Sequence, residues 1–210
     1  MKIDILTIFP DMFSSPFAES IVKRAIDNKK VELTIHNLRD WTTDNHKSVD
    51  DRPFGGGAGM IMRIDIIDRA VAELKTKSTK VILLDTKGEF YTQQIAQTLS
   101  KEEHLLFIAP HYEGIDHRVH EHIADYVISI GSYVLTGGEL PTMVVIDSLV
   151  RLIPGVINPN SLVDESYSNQ ETSNLEYPQY TRPGDYKGWK VPEVLLSGNH
   201  KEISKWRKQK

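Results

Sequence analysis

Three groups of residues in this chain have side chains and spacing suited to chemistry. The first is His111-Tyr112-Glu113-Gly114-Ile115-Asp116-His117-Arg118, which follows an apolar run. Open α/β sheets bind ligands beside the carboxyl ends of their strands, and Glu113 there is fit to face a cation, either a metal or a sulfonium. The histidines His111, His117, His120 and His122 invite a metal, but the spacing argues against one. His120-Glu121 is followed by Ala124, where a zinc-protease helix needs its second histidine. The expectation is a surface helix bearing several histidines, with no protein-bound metal. The second group is Arg52-Pro53-Phe54-Gly55-Gly56-Gly57-Ala58-Gly59-Met60, a loop whose backbone can approach a phosphate or nucleotide closely. It has neither the Gly-Lys-Ser/Thr of a Walker loop nor the spacing of a dinucleotide fold. Asp50, Asp51 and Arg63 flank it and favour a substrate-facing loop over a simple loop tip. The third group is Arg151, at the end of an apolar helix, with the carboxylates Asp164 and Glu165 beyond it. A guanidinium there must be paired or face a site; Asp147 at i−4 is a structural alternative. A carboxylate ordered only with substrate makes a controllable general base, though the same acids also suit a solvated linker.

Residues 129–141, Ser-Ile-Gly-Ser-Tyr-Val-Leu-Thr-Gly-Gly-Glu-Leu-Pro, connect these groups. Apolar side chains can wall a pocket here, glycines admit a ligand to the backbone, and Pro141 suits the first turn of a helix. A flat heteroaromatic ligand such as adenine fits this description, as does an ordinary strand–loop–helix connection.

The elements that must hold these residues are legible as strands at Ile3–Phe9, Val31–Asn37, Lys80–Asp85, Leu105–Ala109 and Tyr126–Ile130. Helical patterns separate most of them. One starts at Ser15-Pro16, with Ser15 as cap; others run through Ile66–Leu74, Ile95–Leu99 and Met143–Ile153. The last has little polar face, so it is buried on several sides, within its own domain or against another subunit. The alternation predicts an α/β fold with a mainly parallel sheet and helices on both faces. That domain spans 1–157. A polar stretch, 158–174, reads as a mobile linker, and 175–210 form a small domain with a short helix at Lys201–Lys208.

Length and composition bound the rest. The chain has 210 residues, 40% of them hydrophobic, enough for one large domain with an appendage. Without cysteine, disulfides, thiolate metal sites and a cysteine nucleophile are excluded. No signal peptide or membrane span is expected, and a reducing cytoplasm is the default. The net charge of −4 requires any nucleic acid to meet a local patch. Candidates are Arg39, His46, Lys47, Arg52 and Arg63, or the terminal run Lys201, Lys205, Arg207, Lys208 and Lys210; both also read as solvated surface.

The motifs, in order, resemble the bacterial tRNA (guanine-37-N1)-methyltransferases, of the SPOUT class of trefoil-knotted methyltransferases. The resemblance covers Thr7-Ile8-Phe9-Pro10-Asp11-Met12-Phe13, Asp51–Met60, Tyr112-Glu113-Gly114-Ile115-Asp116, residues 129–141, Arg151-Leu152-Ile153-Pro154-Gly155-Val156, Tyr180-Thr181-Arg182-Pro183 and Val194-Leu195-Leu196-Ser197-Gly198-Asn199-His200. It implies a SPOUT-type domain with a C-terminal knot, and a small helical C-terminal domain that stops earlier than in the family. It implies S-adenosyl-L-methionine as methyl donor and N1 of an anticodon-loop guanine in tRNA as acceptor. It also implies a cytoplasmic homodimer with its site between subunits, and dependence on Mg²⁺. The cofactor would lie against Leu83, Leu84, Asp85, Thr86, Pro110, Glu113, Gly114, Ser129, Ile130, Gly131, Ser132, Tyr133, Val134, Leu135, Gly137, Gly138 and Pro141. Arg151 would stabilise charge on the guanine O6, and Glu165 or Asp164 would take the N1 proton. His46, Asp50, Arg52, Gly55, Gly56, Gly57, Gly59 and Arg182 would meet tRNA.

The chain departs from the pattern at Pro110-His111, Thr86-Lys87-Gly88 and Ser132. Proline has no N–H, so one backbone contact to the cofactor is expected to be lost. Two alternatives carry a different function: a SPOUT methyltransferase acting on rRNA, and a non-catalytic or weakly active tRNA-binding protein of the same fold.

Overall fold

The computed structural model describes residues 1–162, 165–167 and 175–208. The chain divides into two compact units, Met1–Pro159 and Asn160–Lys210. In the first unit the elements run β1 (Lys2–Thr7), α1 (Ser14–Phe17), α2 (Ser20–Asp27), β2 (Glu32–Asn37), β3 (Asp50–Asp51), β4 (Ile61–Met62), α3 (Ile64–Leu74), β5 (Thr79–Phe90), α4 (Gln93–Leu99), β6 (His104–Ile108), α5 (Arg118–His122), β7 (Tyr126–Ser129) and α6 (Glu139–Val150). The second unit contains the hairpin β8 (Asp185–Tyr186) and β9 (Trp189–Lys190), then α7 (Glu193–Leu196) and α8 (His200–Lys208). Asp164, much of the predicted linker and Lys210 lie outside the described residues.

Five strands form one sheet in the order β2-β1-β6-β5-β7, and every neighbouring pair is parallel. Parallel sheets need cover on both faces, and alternate side chains supply it. Ile3, Ile5, Ile82, Leu84, Leu105 and Phe107 pack with α2, α4 and α6. Leu6, Val81, Leu83, Leu106 and Ile108 pack on the other face with α3 and α5. Burying each such side chain contributes roughly 1.5–3 kcal/mol, and the two-sided demand explains why the strands read as nearly unbroken apolar runs.

One buried polar network crosses four strands. The Asp4 carboxylate, 1% exposed, accepts from His36 Nε2 at 2.8 Å, His104 Nε2 at 2.7 Å and Lys2 Nζ at 2.8 Å. A carboxylate only accepts, so both imidazoles present N–H to it. His104 Nδ1 lies 2.7 Å from Thr79 Oγ1, which tethers β5 to the same cluster.

Two expectations need correction. The helix predicted from Ser15 does not run on. A 3-10 turn (Pro10–Phe13) leads into α1, Ser15 and Pro16 lie inside α1, and no side chain caps it. Phe13 and Phe17 both turn into the core with rings 5.8 Å apart. The chain then breaks, and Ser20 takes a left-handed φ of 55° as the first residue of α2. Pro16 misled because proline is tolerated throughout a helix's first turn. β5 also outruns its predicted end, reaching Phe90. Its register against β7 jumps: Leu84 and Glu89 both face Ile128, so residues 85–88 loop out between them. Gly88 returns the chain against the β7 backbone, where a Cβ would sit 2.5 Å from Ile128 N and 2.6 Å from Val127 C. Only glycine allows that approach.

α6 is apolar on nearly all sides, as its sequence demands. Met143, Val145, Ile146, Leu149 and Val150 are buried, while Leu140 and Val144 remain 50% and 49% exposed. It stops at Val150, short of the expected Ile153, which packs beyond the helix end against the core. In the second unit Tyr180 and Trp206 pack at 6.3 Å, and Arg207 sits over the Tyr177 ring at 4.6 Å. Among the described residues, no helix is long and apolar enough to cross a membrane.

Candidate active site

A cavity of about 270 Å³ opens in the first unit beside the loop-out of β5 and the carboxyl ends of β6 and β7. That is just below the roughly 300–1,000 Å³ of small-molecule sites, so it suits one compact or folded ligand. Besides Ile61 of β4, its walls come from three stretches of chain. The loop-out of β5 delivers Asp85, Thr86 and Lys87; the segment after β6 supplies Pro110–Ile115; the segment from the end of β7 into α6 supplies most of 128–141.

Of the predicted cofactor residues, Leu84, Asp85, Thr86, Pro110, Glu113, Gly114, Ser129, Ile130, Gly131, Tyr133, Val134, Leu135, Gly137, Gly138 and Pro141 all line this cavity. Leu83 does not: strand alternation sends its side chain into the core on the α3 face. Ser132 does not either. It stays exposed, while Tyr133 folds back so that its hydroxyl donates to the Ile130 carbonyl at 3.3 Å. Sequence reasoning left Ile61, Lys87, His111, Tyr112, Ile115, Ile128 and Thr136 unassigned, although they share the walls. His111 and Tyr112 stand between two assigned residues, and that interval was the available signal.

Pro110 gives up an N–H but uses its carbonyl, which accepts from Gly138 N at 2.6 Å. Next to it His111 Nδ1 lies 3.3 Å from Glu139 Oε2, and Thr7 Oγ1 donates to Glu139 Oε1 at 2.9 Å. Glu139 is buried, so β1, the post-β6 segment and α6 are tied at one carboxylate.

The glycine loop and the Tyr-Glu-Gly segment, read separately in the sequence, are neighbours. Glu113 N donates to Met60 O at 3.1 Å, Met62 N to Gly114 O at 2.9 Å and Asp116 N to Met62 O at 3.1 Å. Gly59, at φ +75°, lies where a Cβ would be 2.3 Å from Glu113 Cγ, so the loop packs directly on this carboxylate. Of the predicted tRNA contacts, His46, Arg52, Gly55, Gly56, Gly57 and Gly59 are exposed. Asp50 is in β3, half-buried beside Met62 of β4. Arg182 is exposed in the second unit.

The histidine helix is only partly as expected. His117 and His122 are exposed, whereas His120 is largely buried with Nε2 3.0 Å from Asp85 Oδ2. Among the described residues, no three His, Asp or Glu side chains are grouped to hold a metal ion. Arg151 stands at the C-cap of α6, in the first unit, and Glu165 belongs to the second. Asp164 lies outside the described residues.

A parallel α/β sheet with a compact cavity at its rim, lined by two carboxylates and several glycines, is the arrangement in which open α/β sheets hold small ligands. The model of the family described as tRNA (Guanine-1)-methyltransferase TrmD matches residues 1–210. A tRNA (guanine-N(1)-)-methyltransferase of Dictyoglomus turgidum (strain DSM 6724 / Z-1310) is 52% identical over 210 residues, covering 100% of this chain and 84% of the relative. Proteins of the same name from Bacillus cereus (strain AH820) and Bacillus anthracis (strain A0248) are each 54% identical over 212 residues, covering 99% of this chain and 85% of the relative. The chain belongs to the tRNA (guanine-1)-methyltransferase family.

Proposed function

We propose that this chain transfers the methyl group of S-adenosyl-L-methionine to N1 of guanosine 37 in the tRNA anticodon loop. The observation that carries the reading is a coincidence. The segments that resemble the family's cofactor-binding segments are the ones that wall a single cavity, in a chain whose family match runs from end to end.

The residues fit such a ligand. A Cβ built on Gly114 meets open space, so the cavity has room beside its floor. Ile128, Ile130 and Leu135 offer apolar surface for a heteroaromatic ring, and Glu113 offers negative charge to the cationic methionine end. When bound, the donor supplies an electrophilic methyl on a sulfonium sulfur. The protein's task is then to position and to move one proton. Glu165, or Asp164, takes the proton from guanine N1, and the guanidinium of Arg151 holds the negative charge that develops on O6. The knotted path of the chain and the homodimer belong to the same proposal. The half-exposed Leu140 and Val144 on α6 support a second copy covering that helix. A Mg²⁺ requirement is part of it too, checked by activity with and without chelator.

The test is methyl incorporation from labelled donor into tRNA transcripts with guanosine or adenosine at position 37, followed by mapping of the modified nucleotide. Incorporation confined to guanosine 37 is expected. Arg151→Ala should lower kcat by about 100-fold or more, the scale of losing one charge-stabilising donor. Incorporation at another nucleotide, or none with wild type, overturns the proposal.

A further inference from the structure

The loop-out of β5 brings a carboxylate into the cavity. Three donors reach Asp85: Lys87 N at 2.9 Å and Thr86 Oγ1 at 3.5 Å on Oδ1, and His120 Nε2 at 3.0 Å on Oδ2. A carboxylate has about four acceptor places. At least one is therefore left on a side chain that lines the cavity.

His120 comes from α5 and is largely buried with its partner. Since Asp85 only accepts, Nε2 carries the proton. Nδ1 is then buried with no hydrogen-bond partner, the one side-chain polar atom in that condition among the described residues. A buried polar atom left unmet is destabilising, and a histidine kept for packing alone would be better replaced by an apolar residue. What the imidazole does supply is an N–H that fixes one Asp85 oxygen.

Building on the cofactor reading above, we infer that Asp85 accepts a hydrogen bond from the ribose diol of the adenosyl group, and that His120 is the positioning residue that aims it. The other donors on that ligand are accounted for differently. Glu113 is assigned to the cationic methionine end, and the adenine ring suits the apolar wall. Asp85 directly follows the first paired run of β5, which ends at Leu84, and a carboxylate just beyond a parallel strand's paired run is an acceptor that open α/β sheets set against ribose hydroxyls.

The test is calorimetry of the full chain with S-adenosylhomocysteine and its 2′-deoxy and 3′-deoxy counterparts, alongside unfolding midpoints without ligand. Wild type should bind one deoxy form about tenfold more weakly than the parent, the scale of a lost hydrogen bond to a charged group. Asp85→Asn, or Asp85→Ser if the former does not fold, should weaken the parent about tenfold and shrink the discrimination to within about twofold. His120→Gln, which keeps a donor, should stay near wild type. His120→Leu should bind several-fold more weakly while unfolding no earlier than wild type, since it removes the stranded nitrogen. A purely structural histidine gives the reverse: earlier unfolding with affinity intact. Discrimination that survives Asp85→Asn sinks the ribose contact alone. Absence of any binding by wild type sinks the cofactor reading and this inference with it.

Discussion

Replacing Asp4 by alanine tests how far the buried network holds the sheet together. Asp4 is 1% exposed, and its three donors differ in their escape routes. The side chains of Lys2 and His36 are 40% and 20% exposed and can rehydrate; that of His104, 4% exposed, cannot. Removal of the carboxylate therefore strands one buried donor, costing about 1–3 kcal/mol, and forfeits the charge-assisted bonds as well. A total near 3 kcal/mol is expected, at the lower end of values for breaking a buried pair. For a domain of this size that lowers Tm by roughly 6–12 °C. Asparagine preserves the shape but sets its amide donor against an imidazole N–H, so about 2 kcal/mol is expected from Asp4→Asn. Urea unfolding at neutral pH measures both, provided the slope m is unchanged. The pH dependence has a definite sign. Burial opposes ionisation of Asp4, but hydrogen bonds from His36, Lys2 and His104 outweigh it and hold the carboxyl below its ordinary 3.8. Its stabilisation is thus fully present above about pH 4 and is lost as the pH falls through the depressed value. The gap between wild type and Asp4→Asn should be steady from neutrality down to about pH 5 and narrow on further acidification. A gap below about 1 kcal/mol at neutral pH, or one that widens in acid, refutes the reasoning.

Two further outcomes follow from neighbouring geometry. Gly88→Ala places a Cβ against β7 backbone that no rotamer change relieves, so a loss of about 1–3 kcal/mol is expected with weakened donor binding; unfolding and calorimetry together check this, and an unaffected protein contradicts the close approach. Tyr91, whose hydroxyl lies 2.6 Å from Ser148 Oγ, is pushed up to about 12 by burial. Its stabilisation is present below about pH 10 and fades as the pH climbs through that raised value, so ultraviolet titration should lose its latest-ionising tyrosine in Tyr91→Phe, at a stability cost of about 1 kcal/mol.

The five sheet strands were legible because each must bury both faces, which leaves a dense apolar run. Their exact ends were not: β5 reads as ending at Asp85 because residues 85–88 are polar, yet pairing resumes at Glu89. The 129–141 wall of the cavity was legible because glycines and the following proline crowd there, whereas Leu84, Asp85, Thr86 and Pro110 came only from the family resemblance. What escaped were long-range pairings that leave no periodic trace. His120 and Asp85 stand 35 residues apart, and Thr7 and Glu139 stand 132 apart. The helical spacing of His117, His120 and His122 hid the fact that one of them faces inward.

The Asp4 cluster joins β1 to a histidine 100 positions later. On the ribosome β1 emerges well before this partner, which at about 5–20 residues per second follows roughly 5–20 seconds later. Throughout that wait the nascent chain carries an acid and two apolar strands with one edge unclaimed. Chaperones that shield such edges during synthesis would be expected to matter more for this protein than for one whose neighbours in the sheet are neighbours in the message.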